Sequence, residues 1–167
     1  MLNWSGNVSA GDAITGLSVL LAILTFLYRN YRDNLNERRQ TTFQLLSRIF
    51  EPGPVSEARI TMARWIASGK TIEGDVIDDD ETDRVIMYLI DFYEFTCEGA
   101  YRGVVDANLL NQESGGRMER AYIVVRNYVS AREARLTAVN EQAGLPPVKL
   151  YRYLRWFLRT KRNFDVD

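Results

Sequence analysis

The chain has 167 residues, of which 46% are hydrophobic and 26% are charged, and this length predicts a single domain with a normal core. It contains no histidine and one cysteine, Cys97, so the usual general base, the commonest metal ligand and any disulfide framework are missing. We therefore expect a non-enzymatic protein without metal, cofactor or evident small-molecule substrate, in a reducing compartment.

The net charge of −1 hides two halves of opposite sign. Residues 51–106 hold 13 acidic and 5 basic residues, whereas residues 107–167 hold 11 basic and 6 acidic residues. Complementary halves favour packing on each other, or on a neighbouring copy, over binding of a polyanion. The expected partner is therefore a second copy of the chain.

The first predicted element is a membrane anchor. The 16 residues between Asp12 and Arg29 carry no charge and would form a helix of roughly 24 Å, against a hydrocarbon core of about 30 Å. Uncharged residues before Asp12 and snorkelling arginines after the segment make up the difference. We predict that residues 1–28 are a tail and a transmembrane anchor in contact with lipid, formed by Ala13, Ile14, Gly16, Leu17, Leu20, Leu21, Ile23, Leu24, Phe26, Leu27 and Tyr28.

Two alternatives to a spanning helix stay open, namely a buried core helix and an interfacial helix. An interfacial helix needs a polar face, and here the polar side chains are few. A signal peptide is disfavoured, because it needs a basic region that no residue before Arg29 supplies.

The basic residues that follow the segment predict its orientation. Arg29, Arg32, Arg38 and Arg39 come after it, while only Asp12 precedes it. Basic residues that flank a membrane helix tend to lie on its cytoplasmic side. We therefore expect a single-pass protein of the bacterial inner membrane with its N-terminus outside. Residues 29–167 then form the cytoplasmic domain.

Hydrophobic periodicity predicts an all-α bundle of four to five helices in this domain. The breaks fall at Glu51–Pro54, at Gly69, at Gly103, at Gly115-Gly116 and at Gly144–Pro147, and Asp106 to Leu110 gives a short helical turn. Acidic residues of the 70–80 loop can cap the helix after it. No strand is predicted. The predicted helices cover residues 29–50, 55–68, 81–102, 117–139 and 148–162.

Three carboxylates share one face of the predicted central helix. Asp91, Glu94 and Glu98 are spaced at i, i+3 and i+7. One interpretation is a metal or acid–base cluster, but the carboxylate-bridged metal sites of helical bundles also use histidine. The favoured interpretation is an ion-paired face turned toward the basic C-terminal helices.

Basic residues in the C-terminal half give a candidate contact surface for RNA or a partner. Arg126-Asn127 resembles the start of the catalytic motif of HEPN ribonucleases, whose histidine is replaced here by Ala131, Arg132 or Glu133. A HEPN-like site would therefore be inactive or repurposed.

The last predicted helix interleaves basic and aromatic side chains, and its basic face carries Arg152, Arg155 and Arg159. This pattern suits a lipid surface or a nucleic acid, while the simplest interpretation is a helix that completes the core.

A family resemblance rests on residues spread along most of the chain. The segment from Leu89 to Phe95, followed by Gly99, Arg102-Gly103 and Val105-Asp106, resembles the DUF4760 family of small bacterial and phage proteins. Arg38 to Thr42 and the helix around Trp65 resemble other parts of that family. The resemblance implies one N-terminal membrane helix before a helical domain, and it implies no activity. A more distant architectural similarity is to the HEPN-like membrane accessory protein of type VI-B CRISPR systems.

These observations favour a membrane-anchored helical protein that self-assembles at the inner membrane, with an antiviral, abortive-infection effector or pore as its concrete form. The first alternative is a membrane-tethered, HEPN-like module that binds RNA or is a degenerate ribonuclease. The second alternative is a membrane scaffold or adaptor.

Overall fold

The computed structural model describes residues 10–74 and 80–166. The helices, in order, are α1 (Ala10–Ser47), α2 (Pro54–Ser68), α3 (Asp80–Val85), a π-helical turn (Ile86–Ile90), α4 (Asp91–Tyr101), α5 (Ala107–Leu110), a second π-helical turn (Asn111–Gly115), α6 (Gly116–Gln142) and α7 (Arg152–Arg162). Each π-helical turn continues into its neighbours, so the described residues form five continuous helices and no strand. The all-α prediction is confirmed.

The chain divides into two compact units within α1. The first unit is Met1–Glu37, and the second is Arg38–Asp167. The helical body, as we call the second unit, holds the C-terminal end of α1 and all the other helices.

Local sequence explains how α2 begins and ends. Pro54 occupies the first turn of α2, where its missing N–H is not needed. Gly69 follows the helix in the left-handed conformation with φ of 68°. The Gly69 amide donates to the carbonyl of Ile66 at 3.2 Å, which closes the end as the sequence predicted.

The helix over residues 80–101 is the centre of the body. Ile90 and Cys97 are fully buried, and Tyr93 is 2% exposed. Phe95 of the same helix is 61% exposed. It lies two residues from both Tyr93 and Cys97 and so projects from the opposite side of the helix.

The predicted break at Gly115-Gly116 is wrong. Both glycines have right-handed helical backbone and carry the chain from the second π-helical turn into α6. A side chain does not fit at Gly115, because a Cβ there would lie 2.3 Å from Oδ1 of Asn111 and 3.1 Å from Cδ of Arg162. A Cβ on Gly116 would meet only Nη2 of Arg162, at 3.9 Å.

This difference between adjacent glycines predicts opposite effects of one substitution. Gly115→Ala is expected to lower the free energy of unfolding by about 1–3 kcal/mol, because Asn111 and Arg162 must move. Gly116→Ala is expected to raise it by up to about 1 kcal/mol, because alanine favours a helix over glycine. Thermal unfolding of the full-length protein in detergent measures both changes. Equal effects of the two substitutions would contradict the assignment.

The predicted start of the last helix at Val148 is also wrong, because α7 begins at Arg152. The preceding amides already have partners on α6, since Val148 donates to Oγ1 of Thr137 at 3.1 Å and Leu150 donates to Oε1 of Glu133 at 2.6 Å. Tyr151 then adopts the left-handed conformation with φ of 51°, which turns the chain into α7.

Candidate functional site

The N-terminal unit exposes an apolar helix surface. The large hydrophobic side chains from Ile14 to Tyr28 are between 51% and 68% exposed, and they are Ile14, Leu17, Val19, Leu20, Leu21, Ile23, Leu24, Phe26, Leu27 and Tyr28. The side chain of Ala13 lies outside the described residues. A buried core helix would cover these groups, so contacts within the chain do not support that alternative.

Polar side chains in this stretch are satisfied within the helix itself. The hydroxyls of Thr15, Ser18 and Thr25 donate to the carbonyls four residues earlier, at 2.9, 2.9 and 2.7 Å. Hydroxyls bonded in this way present little unsatisfied polarity to lipid. The stretch Ile14–Ser47 of this helix is long and apolar enough to cross a membrane by length and composition.

The four arginines that set the predicted orientation divide between the two units. Arg29 and Arg32 are exposed in the N-terminal unit. Arg38 and Arg39 belong to the helical body, where Nε of Arg39 lies 3.5 Å from Oδ2 of Asp106. The guanidinium of Arg38 lies over Gly103, 3.6 Å from the position of a Cβ there.

Thr42 and Asp106 join α1 to α5. The buried hydroxyl of Thr42 donates to the carbonyl of Arg38 at 2.7 Å and accepts from the amide of Asp106 at 2.9 Å. The Asp106 carboxylate in turn accepts from the amides of Asn108 and Leu109 at 3.0 and 3.1 Å, which caps α5. Two segments that resemble the family, 64 residues apart, therefore meet here.

The charge on Asp106 stabilises this junction. Desolvation raises the pKa of the Asp106 carboxyl, but the amides of Leu109 and Asn108 and the guanidinium of Arg39 outweigh it, and the pKa is lowered from 3.8. The carboxylate therefore contributes stability above the unfolded-state pKa. That contribution is lost as the pH falls through the lower folded-state value.

The hydroxyl of Thr42 gives a specific prediction. Thr42→Val is expected to lower the free energy of unfolding by about 1–3 kcal/mol, because the buried Asp106 amide loses its acceptor. Thr42→Ser keeps the hydroxyl and is expected to cost less. Urea unfolding of the full-length protein in detergent compares the two variants, and a serine variant as unstable as the valine variant would contradict this role.

The structure places Asp91 and Glu94 against the start of α7. Partial burial raises the pKa of the Asp91 carboxyl, and the nearby Tyr151 hydroxyl and Arg132 guanidinium oppose that shift. Glu94 accepts from the amides of Tyr153 at 3.1 Å and of Leu154 at 2.7 Å, and so caps the helix N-terminus. Partial burial raises the pKa of Glu94, although these amides oppose the shift.

Glu98, the third carboxylate of the predicted face, has a different partner. It forms an ion pair with Arg102 on its own helix at 2.6 Å. The described residues contain no acidic or cysteine cluster able to hold a metal ion.

A cleft of about 360 Å³ borders the same region. Asp83, Asp91, Arg132 and Tyr151 line part of it. Nη1 of Arg132 donates to the Tyr128 hydroxyl at 2.6 Å, and that hydroxyl donates to Oδ1 of Asp83 at 3.4 Å. The Tyr128 hydroxyl thus links Arg132 of α6 to Asp83 of α3 at this cleft.

The candidate RNA-contact residues do not form one row. Arg126 and Asn127 are exposed on α6, and Arg152 and Arg159 are exposed on α7. Arg155 of α7 instead binds side chains of α6.

Arg155 joins α7 to α6 through a pair that the sequence analysis missed. Its guanidinium donates to the Tyr122 hydroxyl at 2.8 Å and to Oε2 of Glu133 at 3.2 Å. The Arg155 and Glu133 side chains are only 16% and 11% exposed. The spacing could have indicated that Glu133 is buried, because it follows Val129 by four residues and so continues the apolar stripe of α6.

The fold and the exposed segment define an all-α protein with one apolar helix near the N-terminus that is long enough to cross a membrane. The chain belongs to the family described as Domain of unknown function (DUF4760), whose family model matches residues 13–160. The comparisons with curated proteins and with solved structures each found no significant match.

Proposed function

We propose that the protein is a non-enzymatic, single-pass protein of the bacterial inner membrane that holds its helical body in the cytoplasm. The supporting observation is the continuous exposure of ten large apolar side chains from Ile14 to Tyr28 on a helix whose hydroxyls are internally bonded. Exposed apolar surface of this extent costs about 25 cal/mol per Å² in water, and lipid removes that cost. Arg29 and Arg32, just after the segment, favour a cytoplasmic body.

Alkaline extraction and a topology assay test this proposal. Full-length protein expressed in a bacterium is expected to stay with membranes in sodium carbonate and to float with them in a density gradient. A periplasmic reporter fused to the N-terminus is expected to be active, and the same reporter fused to the C-terminus inactive. Release of the protein by carbonate, or the reverse reporter pattern, would refute anchoring or orientation respectively.

The second part of the proposal is self-assembly of the body. Phe95, Tyr101 and Val104 are 61%, 58% and 55% exposed within one short stretch of the body, where a second copy could cover them. Assembly would bring several short membrane helices together. The concrete form of this proposal is an antiviral effector that perturbs the bilayer when it assembles.

Mass measurement and a permeability assay test the two levels of this proposal separately. The protein in detergent is expected to have a mass several times that of the 19.2 kDa chain. The variant Phe95→Asp is expected to shift it toward the monomer. A monomer at every concentration would refute assembly. If the protein is an oligomer but its expression in cells changes neither dye uptake nor phage growth, only the effector role is refuted.

A further inference from the structure

A second cleft in the helical body brings together arginines from two helices. It has a volume of about 380 Å³ and lies between α2, the central helix and α6. Arg59 of α2 and Arg117 and Arg120 of α6 line it, with Tyr93 among the other lining residues. No carboxylate among the described residues lines this cleft.

The ion pairs of the body involve other arginines than these three. Arg39, Arg102, Arg155 and Arg162 each lie within 3.5 Å of a carboxylate oxygen. Among the residues that the structure describes, Arg59, Arg117 and Arg120 form no such pair. Three neighbouring positive charges without a counter-charge repel one another, so this concave surface favours an anion.

Two further observations indicate a built site. Nε of Arg59 is buried and has no hydrogen-bond partner among the described residues. The Phe50 ring lies 5.1 Å from the Arg59 guanidinium carbon and 5.5 Å from that of Arg117, which holds both groups against one aromatic surface. Buried N–H groups without an acceptor are costly, and a bound anion would supply one.

The bottom of the cleft is partly apolar and carries one hydroxyl. Met62 and Leu89 are 2% and 1% exposed. Tyr93 is buried, and desolvation raises the pKa of its hydroxyl to about 12, against the charges of Arg117 and Arg59. A neutral tyrosine can therefore donate a hydrogen bond to an anion beside the two arginines.

We propose that this cleft, lined by Arg59, Arg117 and Arg120, binds the phosphate group of a phosphorylated ligand. Arginine forks match phosphate oxygens in pairs, and a phosphate monoester carries about −1.5 to −2 charge at pH 7. The apolar groups beside the arginines suit the organic part of such a ligand. Its source is either a soluble nucleotide or a lipid with a phosphate headgroup.

Titration calorimetry on the full-length protein in a nonionic detergent tests the soluble source, with inorganic phosphate, AMP and ATP as probes. Nanodiscs of phosphatidylcholine with and without phosphatidic acid test the lipid source through the unfolding temperature of the inserted protein. Binding in either arm supports the site and identifies the source. The absence of binding in both arms would overturn the proposal.

A double variant and a matched control distinguish binding at this cleft from nonspecific attraction to basic residues. Arg117→Ala with Arg120→Ala is expected to weaken binding at least about ten-fold, because two charged hydrogen-bond donors are lost. The control is Arg64→Ala with Arg84→Ala, because those arginines line a cleft of about 360 Å³ together with Glu57 and Glu81.

The control variant is expected to bind within about two-fold of the wild type, because its arginines line a separate cleft that also contains two glutamates. Equal weakening by both double variants would show nonspecific attraction and overturn the assignment. Arg117→Lys keeps the charge and loses the fork, so it is expected to give intermediate affinity. Arg117 and Arg120 are exposed, and their loss leaves the core packing intact.

Discussion

Replacing Leu20 and Leu24 by arginine is expected to remove the protein from the membrane fraction. Both side chains lie in the middle of the exposed apolar segment, at 53% and 54% exposure. An arginine near the centre of a membrane helix costs about 2.5–3.5 kcal/mol on insertion scales, and two of them exceed what a short segment recovers. The measurement is the share of protein that floats with membranes after carbonate treatment.

The matched control is Phe43→Arg, on the same helix α1 but in the helical body. Phe43 is also a large exposed hydrophobic residue, at 56% exposure. Its replacement adds charge to the surface without touching the apolar segment, so flotation is expected to stay at the wild-type level. Flotation also separates membrane-bound protein from aggregates, which sediment. Equal flotation of the double variant and the control would rule out a spanning helix.

Glu94→Ala is expected to give the largest loss of stability in the body, about 3 kcal/mol. Its partly buried carboxylate accepts hydrogen bonds from the amides of Tyr153 and Leu154 at the start of α7. Alanine leaves both donors without an acceptor, and it also removes the negative charge that favours a helix N-terminus. Glu94→Gln keeps one accepting oxygen and is expected to lose about half as much.

Glu98→Gln is the control for this experiment, since Glu98 lies on the same helix with an ion-pair partner near the surface. The Arg102 and Glu98 side chains are 64% and 31% exposed, so the pair is expected to contribute less than about 1 kcal/mol. Urea unfolding of full-length proteins in the same detergent gives the comparison. A Glu94→Ala variant no less stable than Glu98→Gln would contradict the capping role.

The sequence predicted the helical elements that depend on local signals. Proline and glycine punctuation located both ends of α2, and periodicity located the central helix and most of its buried face. It failed at Gly115, where glycine serves close packing against Asn111 and Arg162. It failed again before Tyr151, where side chains of α6 bind the amides of Val148 and Leu150 and the helix begins only at Arg152. Such contacts join residues distant in sequence, and no local pattern reports them.

The candidate site residues show the same division. The exposed apolar segment and the carboxylate face were visible in composition and spacing. The partners of those carboxylates were not, because Glu94 binds backbone amides rather than the side-chain cations that the charge pattern suggested. The cleft lined by Arg59, Arg117 and Arg120 was also missed, since α2 and α6 are brought together only by folding.

The single cysteine gives this protein a built-in reporter of conformational opening. Cys97 is fully buried in the central helix, with its Sγ 4.0 Å from the Met118 sulfur. Desolvation raises the pKa of its thiol well above 9.0, so the folded form is protected from alkylation. The labelling rate of the unmodified chain thus measures how often the body opens, without any chemical denaturant.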